Sequence, residues 1–483
     1  MPIIAEALAA SACMHCEPLE PCTWRPASAD EIAHAVRPEQ LPDNFDMVTG
    51  ASTTSEVNTS CDSGFKHSCL GQCRGPLNRR FSVHRIPMAS RSDLTKVCTT
   101  QANFTAMGAR ASGDMRPPLR ALIEEAVRPP HCRLSFVGDS TVHDVWSAAI
   151  SALLTADWGW DLAACYFLAG HGMWHHAETE RFCGSNTASP NVTQLLSATE
   201  FSVASIFQSW ARFRRRSPPH DTAVECASVD VHYWEAGFFF KEAKWTMNLA
   251  RPTAPRVLNV SSLVILSIGT HANSLAELHG IWSRDVLPYL VWANQTSVDT
   301  YGTTTASATA VPAIYWSPNT THLPTAAPGS VPRVLWIDTL PQHFNTSSGD
   351  GLHAHRIEGH LDASHPRPTC VPTDDKAASW RNAAFDAWIA RVRPSAPRTP
   401  DNYTERHAAV GRRGTWNTRR WVEVPTADIF MDRWDLHSWF TEHGRGPKAD
   451  CTHYCYTPFL YEPVWSRIER ATRCVDRTPK IRR

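Results

Sequence analysis

Short apolar runs along the chain predict buried strands, and the first is followed at once by a helical pattern. Residues 133–137 (RLSFV) end at Gly138. From Thr141 onward, apolar side chains recur at the spacing of one helix face, at Val142, Val145, Trp146, Ala149, Ile150, Leu153 and Leu154. This order predicts a strand, a tight turn and a helix packed on the sheet.

Three further apolar runs are typical of buried parallel strands: Leu263–Ile268, Pro312–Trp316 and Val331–Ile337. Strands that alternate with helices predict an α/β fold around a central parallel sheet.

The N-terminal region differs from the rest of the chain in composition and in periodicity. Residues 1–127 are rich in Cys, Pro, Ser and Thr and lack sustained periodicity, which predicts a loop-rich N-terminal region pinned by disulfides. We place one α/β domain at 128–478, with surface insertions near 294–309 and 394–420.

Composition excludes several classes of protein. The 47 basic and 47 acidic residues balance, so the chain lacks the basic footprint of a nucleic-acid binder. No apolar run is long enough to predict a membrane-spanning helix. The first residues, MPIIAEALAASAC, have a short apolar stretch without a basic segment before it. This is either a weak signal peptide or a sign that the true start lies upstream, and we favour the second interpretation.

Cysteines and sequons together predict the compartment. Of the 15 Cys, seven precede residue 100, and either zinc ligation or disulfides would explain that clustering. Eight Asn-x-Ser/Thr sequons occur, where 15 Asn and 81 Ser and Thr in 483 residues give about 2.5 by chance. They lie at Asn58, Asn103, Asn191, Asn259, Asn294, Asn319, Asn345 and Asn402. This excess predicts a disulfide-bonded glycoprotein of the secretory pathway, in the Golgi lumen or outside the cell.

The most specific candidate for a catalytic nucleophile is the Ser of Gly138-Asp139-Ser140, at the end of the first strand. A Ser in that turn would project its hydroxyl at the carboxyl edge of the sheet, where a helix N-terminus and backbone N–H groups can hold an oxyanion. The alternative is that Asp139 or Ser140 only caps the helix. As oxyanion donors we expect the N–H groups of Ser140 and Gly269 and the amide of Asn273, which could instead cap a helix.

A Ser nucleophile also needs a His base oriented by a carboxylate. Three Asp-x-x-His pairs lie downstream: Asp350/His353, Asp362/His365 and Asp450/His453. At this spacing, both side chains can come from one turn or helix start, and the spacing alone does not choose among the pairs. Only the third pair is interleaved with two cysteines, Cys451 and Cys455, whose disulfides would pin its backbone.

Two other clusters of charged or titratable residues each have a structural and a functional interpretation. His171, His175 and His176 could ligate a metal but are typical of a solvated loop, so we predict no metal site. The run of Arg212 and 214–216 could bind an anionic glycan but is typical of an exposed face.

The two end motifs resemble a known family. FVGDS followed by a helix, and the late DCTHYCYTPFLYEPVW, are similar to the two signatures of the plant trichome birefringence-like family of polysaccharide O-acetyltransferases, which have a PC-esterase (SGNH-like) domain. In the late signature Tyr454 stands where the family has Trp, and Trp465 matches its closing Trp. Residues 229–239, 334–344 and 429–438 resemble intermediate segments of the family more loosely.

The resemblance implies a three-layer SGNH-like fold, with Ser140 as nucleophile, His453 as general base and Asp450 as its orienter. It also implies that Cys370 pairs with Cys451, and Cys455 with an N-terminal cysteine. The implied activity is transfer of acetyl from a donor to a polysaccharide or glycan hydroxyl, without metal or organic cofactor.

Departures from the family pattern keep two alternatives open. Residues 141–144 (TVHD) replace the family's Leu-Ser-Arg-Asn, and residues 267–272 (SIGTHA) replace its Asn-Thr-Gly-His-Trp-Trp. The chain therefore resembles a divergent branch. One alternative is a carbohydrate acetylesterase, and the other is an inactive glycan-binding or cell-wall protein.

Overall fold

The computed structural model describes part of the chain: residues 22, 24–26, 84–87, 96–98, 118–155, 160–167, 208–217, 225–236, 254–298, 333–353, 370–374, 379–392, 420–441, 447–454 and 458–476. The predicted strand Pro312–Trp316 and most of the N-terminal region lie outside these residues.

The described strands are β1 (Trp24–Pro26), β2 (His84–Pro87), β3 (Lys96–Cys98), β4 (Arg133–Gly138), β5 (Trp160–Phe167), β6 (Gln208–Arg215), β7 (Ser228–Glu235), β8 (Leu263–Ser267), β9 (Arg333–Ile337), β10 (Trp421–Val424), β11 (His437–Thr441) and β12 (Pro447–Tyr454). The described helices are α1 (Pro118–Ala126), α2 (Ser140–Thr155), α3 (Ala254–Val260), α4 (Leu275–Ile281), α5 (Leu287–Val298), α6 (Trp380–Val392), α7 (Ala427–Met431) and α8 (Pro458–Asp476). A π-helical turn, Trp282–Val286, joins α4 to α5, and a 3₁₀ turn, Trp434–Leu436, precedes β11.

Seven strands form a mixed central sheet in the order β10-β9-β8-β4-β7-β6-β5. The five strands from β10 to β7 are parallel, whereas β6 and β5 continue the sheet antiparallel at one edge. Numbered along the chain, the parallel strands run 2-1-3-4-5, the order of a doubly wound sheet. In that order the strand sequence reverses between β4 and β8, and ligands of such folds bind outside the carboxyl ends of the strands at this switch point.

Both faces of the sheet are buried, which gives three layers. On β4, Leu134 and Phe136 pack in one hydrophobic cluster with α1, α2, α7 and α8. Val137 points to the opposite cluster, which contains residues of α3, α4, α5 and α6. All five residues of β8 are buried as well. The near-continuous apolar runs that predicted β4, β8 and β9 are the signature of strands covered on two sides.

The turn from β4 to α2 requires glycine at residue 138. A Cβ on Gly138 would lie 2.0 Å from the carbonyl oxygen of Ser267 and 2.4 Å from Cγ2 of Val142. Asp139 then caps α2, since its Oδ1 accepts the N–H of Thr141 at 3.1 Å. The predicted helix is therefore confirmed, and Ser140 occupies its first position.

The described parts of residues 1–127 contact the α/β domain in several places. Helix α1 packs in the core against α8. Strand β2 joins β11 and β12 in a second, antiparallel sheet. Upstream, the indole of Trp24 donates to the Ile429 carbonyl at 3.1 Å, and the Arg433 guanidinium lies 4.6 Å from the Trp24 ring.

Of the predicted insertions, 394–420 falls outside the described residues except for its last residue, and 299–309 falls outside them entirely. The first residues of the insertion predicted near 294–309, residues 294–298, form the end of α5. Within the described residues, none of the helices has the length and apolar character to span a membrane.

Candidate active site

Ser140 lies between two histidines at the carboxyl edge of the sheet. Its Oγ is 2.8 Å from Nε2 of His453 and 3.1 Å from Nε2 of His271. Ser140 follows β4 and His271 follows β8, so both come from the two strands that flank the switch point. His453 comes from β12, 313 residues further along the chain. All three side chains are partly exposed, as a site open to substrate requires.

His453 lies on an irregular strand, and not on the turn or helix start that the spacing of Asp450 and His453 would also allow. On β12, the pairing with β11 jumps from Tyr454 opposite His437 to Asp450 opposite Ser438. The residues between, including His453, therefore bulge out of the regular ladder. Asp450 lies on the same strand, and its backbone alone is described.

A disulfide anchors this bulge. Cys451 is bonded to Cys370, with 5.4 Å between the Cα atoms, which is the pairing that the resemblance implies. Both cysteines are buried against Phe344. Cys455, the other predicted disulfide residue of this motif, lies outside the described residues.

Asp139 braces the turn that carries His271. Its Oδ2 accepts the N–H groups of Gly269 at 3.0 Å and Thr270 at 2.9 Å, while Oδ1 caps α2. We therefore correct the assignment of Gly269 as an oxyanion donor, because its N–H is bound to the Asp139 carboxylate. Ser140 is the first residue of α2, and the N–H groups of a first helical turn have no partner within the helix, so its N–H remains a donor candidate.

Asn273 does not cap a helix. It is exposed and precedes α4, whose N-cap is Ser274. The Ser274 hydroxyl accepts the N–H of Glu277 at 3.2 Å, and the Glu277 carboxylate accepts the backbone N–H of Asn273 at 2.7 Å, an arrangement that resembles a capping box. The side-chain amide of Asn273 stays a predicted oxyanion donor.

Beneath His453 lies a fully buried histidine pair. Nδ1 of His437 is 3.1 Å from the His453 carbonyl oxygen, and its Nε2 is 2.7 Å from Nδ1 of His343. Burial lowers the pKa of His343 to about 4, so its ring is neutral at pH 7. The Tyr454 hydroxyl donates to the Pro341 carbonyl at 3.0 Å beside this pair. Tyr454, which stands where the family has Trp, thus packs below the strand.

Arg381 of α6 links the turns that carry the two histidines. Its guanidinium donates through Nε at 3.1 Å and Nη2 at 3.0 Å to the carbonyl of Ala272, next to His271. Nη2 also donates to Oε1 of Gln342 at 3.0 Å. The Gln342 amide in turn donates to the Thr452 hydroxyl at 3.0 Å, next to His453. A single buried side chain therefore reaches both flanks of Ser140.

The other Asp-x-x-His pairs occupy different places. The Asp350 carboxylate accepts the N–H of Leu352 at 3.0 Å, and the His353 ring packs edge-on against Phe344 at 5.0 Å. The pair Asp362/His365 lies outside the described residues.

The arginine run lies on β6 and on the residue after it, and three of its four arginines form ion pairs. Arg212 contacts Asp230 through two hydrogen bonds, at 2.6 and 2.9 Å, and Arg216 contacts Asp161 at 2.8 Å. Arg215 forms an ion pair with Glu225. These pairs favour a structural interpretation over an anionic-glycan patch.

The remaining predicted sites fall in several places. His171, His175 and His176 lie outside the described residues. Among the residues that the structure does describe, no group of three or more His, Cys, Asp or Glu could hold a metal ion. Five sequons are also outside: Asn58, Asn103, Asn191, Asn319 and Asn402. Asn345 is exposed, while Asn259 and Asn294 lie on helices. Cys132 and Cys226 form a second disulfide that the sequence did not predict.

Sequence reasoning missed His271, although a signal for it exists. His271 follows the predicted β8 run closely, as Ser140 follows β4. The carboxyl ends of adjacent parallel strands meet at one edge of a sheet, so strand adjacency would place the two residues together. The pairing of β4 with β8 was the missing step, because the strand order cannot be inferred from the runs alone.

A carboxyl group beside this site has an unusual proton affinity. Glu235 ends β7 opposite Gly138, and burial together with the nearby Asp139 charge raises its pKa from 4.5 to about 8. The folded state keeps a proton there that the unfolded state has released at neutral pH. The contribution of Glu235 to the free energy of unfolding is therefore expected to fall by about 1.4 kcal/mol per pH unit as the pH rises from about 5 towards 8.

Denaturant unfolding of wild type and Glu235→Gln at several pH values measures this term. Asp386 and Glu462, whose pKa values burial raises to about 7, act in the same direction in both proteins and cancel in the comparison. The difference between the two proteins should shift in favour of Glu235→Gln as the pH rises. Parallel stability curves would show that Glu235 titrates alike in both states.

Comparisons with protein-family models, with curated proteins and with solved structures give no match for this chain. Assignment of a function therefore depends on the residues and geometry of the chain itself.

Proposed function

We propose that this protein is a polysaccharide or glycan O-acetyltransferase that passes an acetyl group through an acyl-enzyme at Ser140 to a hydroxyl of the acceptor. The observation that carries the proposal is the 2.8 Å contact between Ser140 Oγ and His453 Nε2. A hydroxyl at that distance from an imidazole nitrogen is the arrangement of an activated nucleophile. The position of Ser140 at the switch point of a doubly wound sheet and the similarity of the end motifs to the SGNH-like O-acetyltransferases support it further.

The chemistry is a two-step acyl transfer. Ser140 Oγ bonds to the acetyl carbonyl carbon while its proton passes to Nε2 of His453, and the leaving group then departs with that proton. In the second step a sugar hydroxyl attacks the carbonyl carbon of the acetyl-Ser140 ester and gives its proton to His453. The bond from that carbon to Ser140 Oγ then breaks, and Oγ takes the proton back from His453. Asp450 is proposed to orient the imidazole, because it lies on the same strand as His453. The reaction requires no metal or organic cofactor.

The proposed compartment is the secretory pathway. The sequon excess and the disulfides Cys132–Cys226 and Cys370–Cys451 favour it, since disulfides persist in oxidising compartments. The proposed acceptor class, a polysaccharide or glycan, rests on the similarity of the two end motifs to those of the polysaccharide O-acetyltransferases. Exclusion of water from the acyl-enzyme separates a transferase from an acetylesterase.

The test is turnover of 4-nitrophenyl acetate by disulfide-bonded protein from a secretory host, with and without mixed plant or algal oligosaccharides. Acetylated oligosaccharides in the mass spectrum are the expected result. Release of acetate alone at every acceptor concentration would assign an acetylesterase. No turnover in folded protein would contradict both activities and favour a glycan-binding protein.

Arg381 is expected to be a positioning residue for this reaction. Arg381→Met removes the link between the Ala272 and Gln342 turns and should lower kcat by about 10- to 100-fold, because small misplacements of catalytic groups cost that much. Arg381→Lys should recover part of the loss. Arg391→Met, an exposed change on the same helix, is the matched control and should leave kcat unchanged.

Steady-state kinetics with melting curves separates positioning from stability. An Arg381→Met protein that melts earlier but keeps the wild-type kcat would show that Arg381 serves the fold alone.

A further inference from the structure

Two histidines contact one hydroxyl, and proton counting assigns them different roles. Ser140 Oγ carries one proton, so it can donate to one imidazole only. The second imidazole at 3.1 Å must then donate its own Nε2–H to a lone pair of Oγ. One histidine is therefore the base, and the other is a hydrogen-bond donor aimed at the reacting oxygen.

We propose that His271 is a second catalytic histidine, which donates Nε2–H to Ser140 Oγ and then to the oxyanion of the tetrahedral intermediate. This inference rests on the acyl transfer proposed above. The attacked carbon carries both Oγ and the oxyanion, so a donor that contacts Oγ lies next to the position where negative charge develops. Donors at that position are worth the most in the transition state.

The local hydrogen bonds explain why the site needs a side-chain donor. The backbone N–H groups at the end of β8, those of Gly269 and Thr270, are bound to the Asp139 carboxylate. The N–H of Asn273 is bound to Glu277. On this turn the ring nitrogen of His271 is the donor that contacts the nucleophile. It takes the place that a backbone amide or an asparagine would fill.

The surroundings favour His453, not His271, as the base. The shorter contact with Ser140 is that of His453. His453 also belongs to an Asp-x-x-His pair, with Asp450 proposed as its orienting carboxylate. Three residues before His271 the chain has Ile268 and not a carboxylate.

His453 alone accepts and returns the transferred proton, and His271 neither gains nor loses one. As Oγ attacks, the carbonyl π electrons move to the acetyl oxygen and the Oγ proton moves to His453. The intermediate collapses when the bond to the leaving group breaks and the leaving group takes the proton from His453. His271 keeps its Nε2 proton throughout, and its hydrogen bond strengthens as the oxyanion forms.

Glutamine separates the two roles, because its amide nitrogen can mimic the Nε2–H donor of histidine but cannot accept a proton as a base. The measurement is the rate of Ser140 acetylation by 4-nitrophenyl acetate in His271→Ala, His271→Gln, His453→Ala and His453→Gln. We expect His271→Ala to be slower than wild type by about 10²- to 10³-fold, the usual loss of one oxyanion donor. His271→Gln should remain within about tenfold of wild type, whereas both changes at His453 should be equally severe.

Melting curves of the two His271 variants show whether each is folded. Both variants lack the imidazole ring, so a difference in rate between them measures the hydrogen-bond donor. An equal loss of rate in His271→Gln and His271→Ala, with activity kept in His453→Gln, would make His271 the base and His453 the hydrogen-bond donor. A wild-type rate in folded His271→Ala would remove His271 from the mechanism. Absence of acetyl-Ser140 in wild type would instead overturn the proposed function, and the role of His271 with it.

Discussion

Ser140→Ala is expected to abolish acetyl-ester turnover, with a fall of about 10⁴-fold or more. The substitution removes the oxygen that contacts both His453 and His271, and no acyl-enzyme can form without it. The fold should persist, because the Ser140 side chain is partly exposed and the cap of α2 comes from Asp139. Turnover of 4-nitrophenyl acetate and a thermal melt on the same preparation measure both effects.

Ser147→Ala is the matched control for this change. Ser147 lies on the same helix, and its buried hydroxyl has no hydrogen-bond partner among the described residues. Its removal should leave turnover unchanged and should not destabilise the protein. Equal turnover in Ser140→Ala and Ser147→Ala would show that the helix does not carry the nucleophile.

His453→Ala is expected to cost about as much as loss of the nucleophile, because residues of a nucleophile and base pair act as one unit. Without the imidazole, nothing takes the Ser140 proton at the moment of attack. The double variant Ser140→Ala/His453→Ala should therefore be no less active than either single variant. Kinetics of all three proteins measures this non-additivity.

His353→Ala tests the competing Asp-x-x-His pair. The His353 ring packs on Phe344, and its loss should leave turnover near the wild-type value. A severe loss of turnover in His353→Ala with a mild one in His453→Ala would show that His353, of the pair Asp350/His353, is the general base.

The sequence predicted the parts of the site that depend on local pattern. A buried run followed by a helical stripe indicated β4 and α2, and the strand ended at Gly138, which no larger residue could replace. The disulfide between Cys370 and Cys451, which are 81 residues apart, was implied by the resemblance alone. The strand, turn and helix lie in contiguous residues, where local pattern is informative.

The features that the sequence did not predict depend on strand order and on long-range hydrogen bonds. His271 becomes part of the site because β8 pairs with β4, and the apolar runs carry no record of that pairing. Gly269 has the expected position, but its N–H is taken by the carboxylate of Asp139, 130 residues away. The bulge that presents His453 arises from an irregular pairing of β11 with β12, which spacing between Asp450 and His453 could not reveal.

The most direct test of the central claim is peptide mass spectrometry of acid-quenched protein after brief incubation with 4-nitrophenyl acetate. Ser140 as an acyl-enzyme nucleophile predicts one acetyl group on the peptide that contains Ser140, formed in wild type, discharged when oligosaccharide is added and absent from Ser140→Ala. Turnover by wild type with the acetyl group on another residue, or with no adduct at Ser140 while Ser140→Ala stays active, would contradict it.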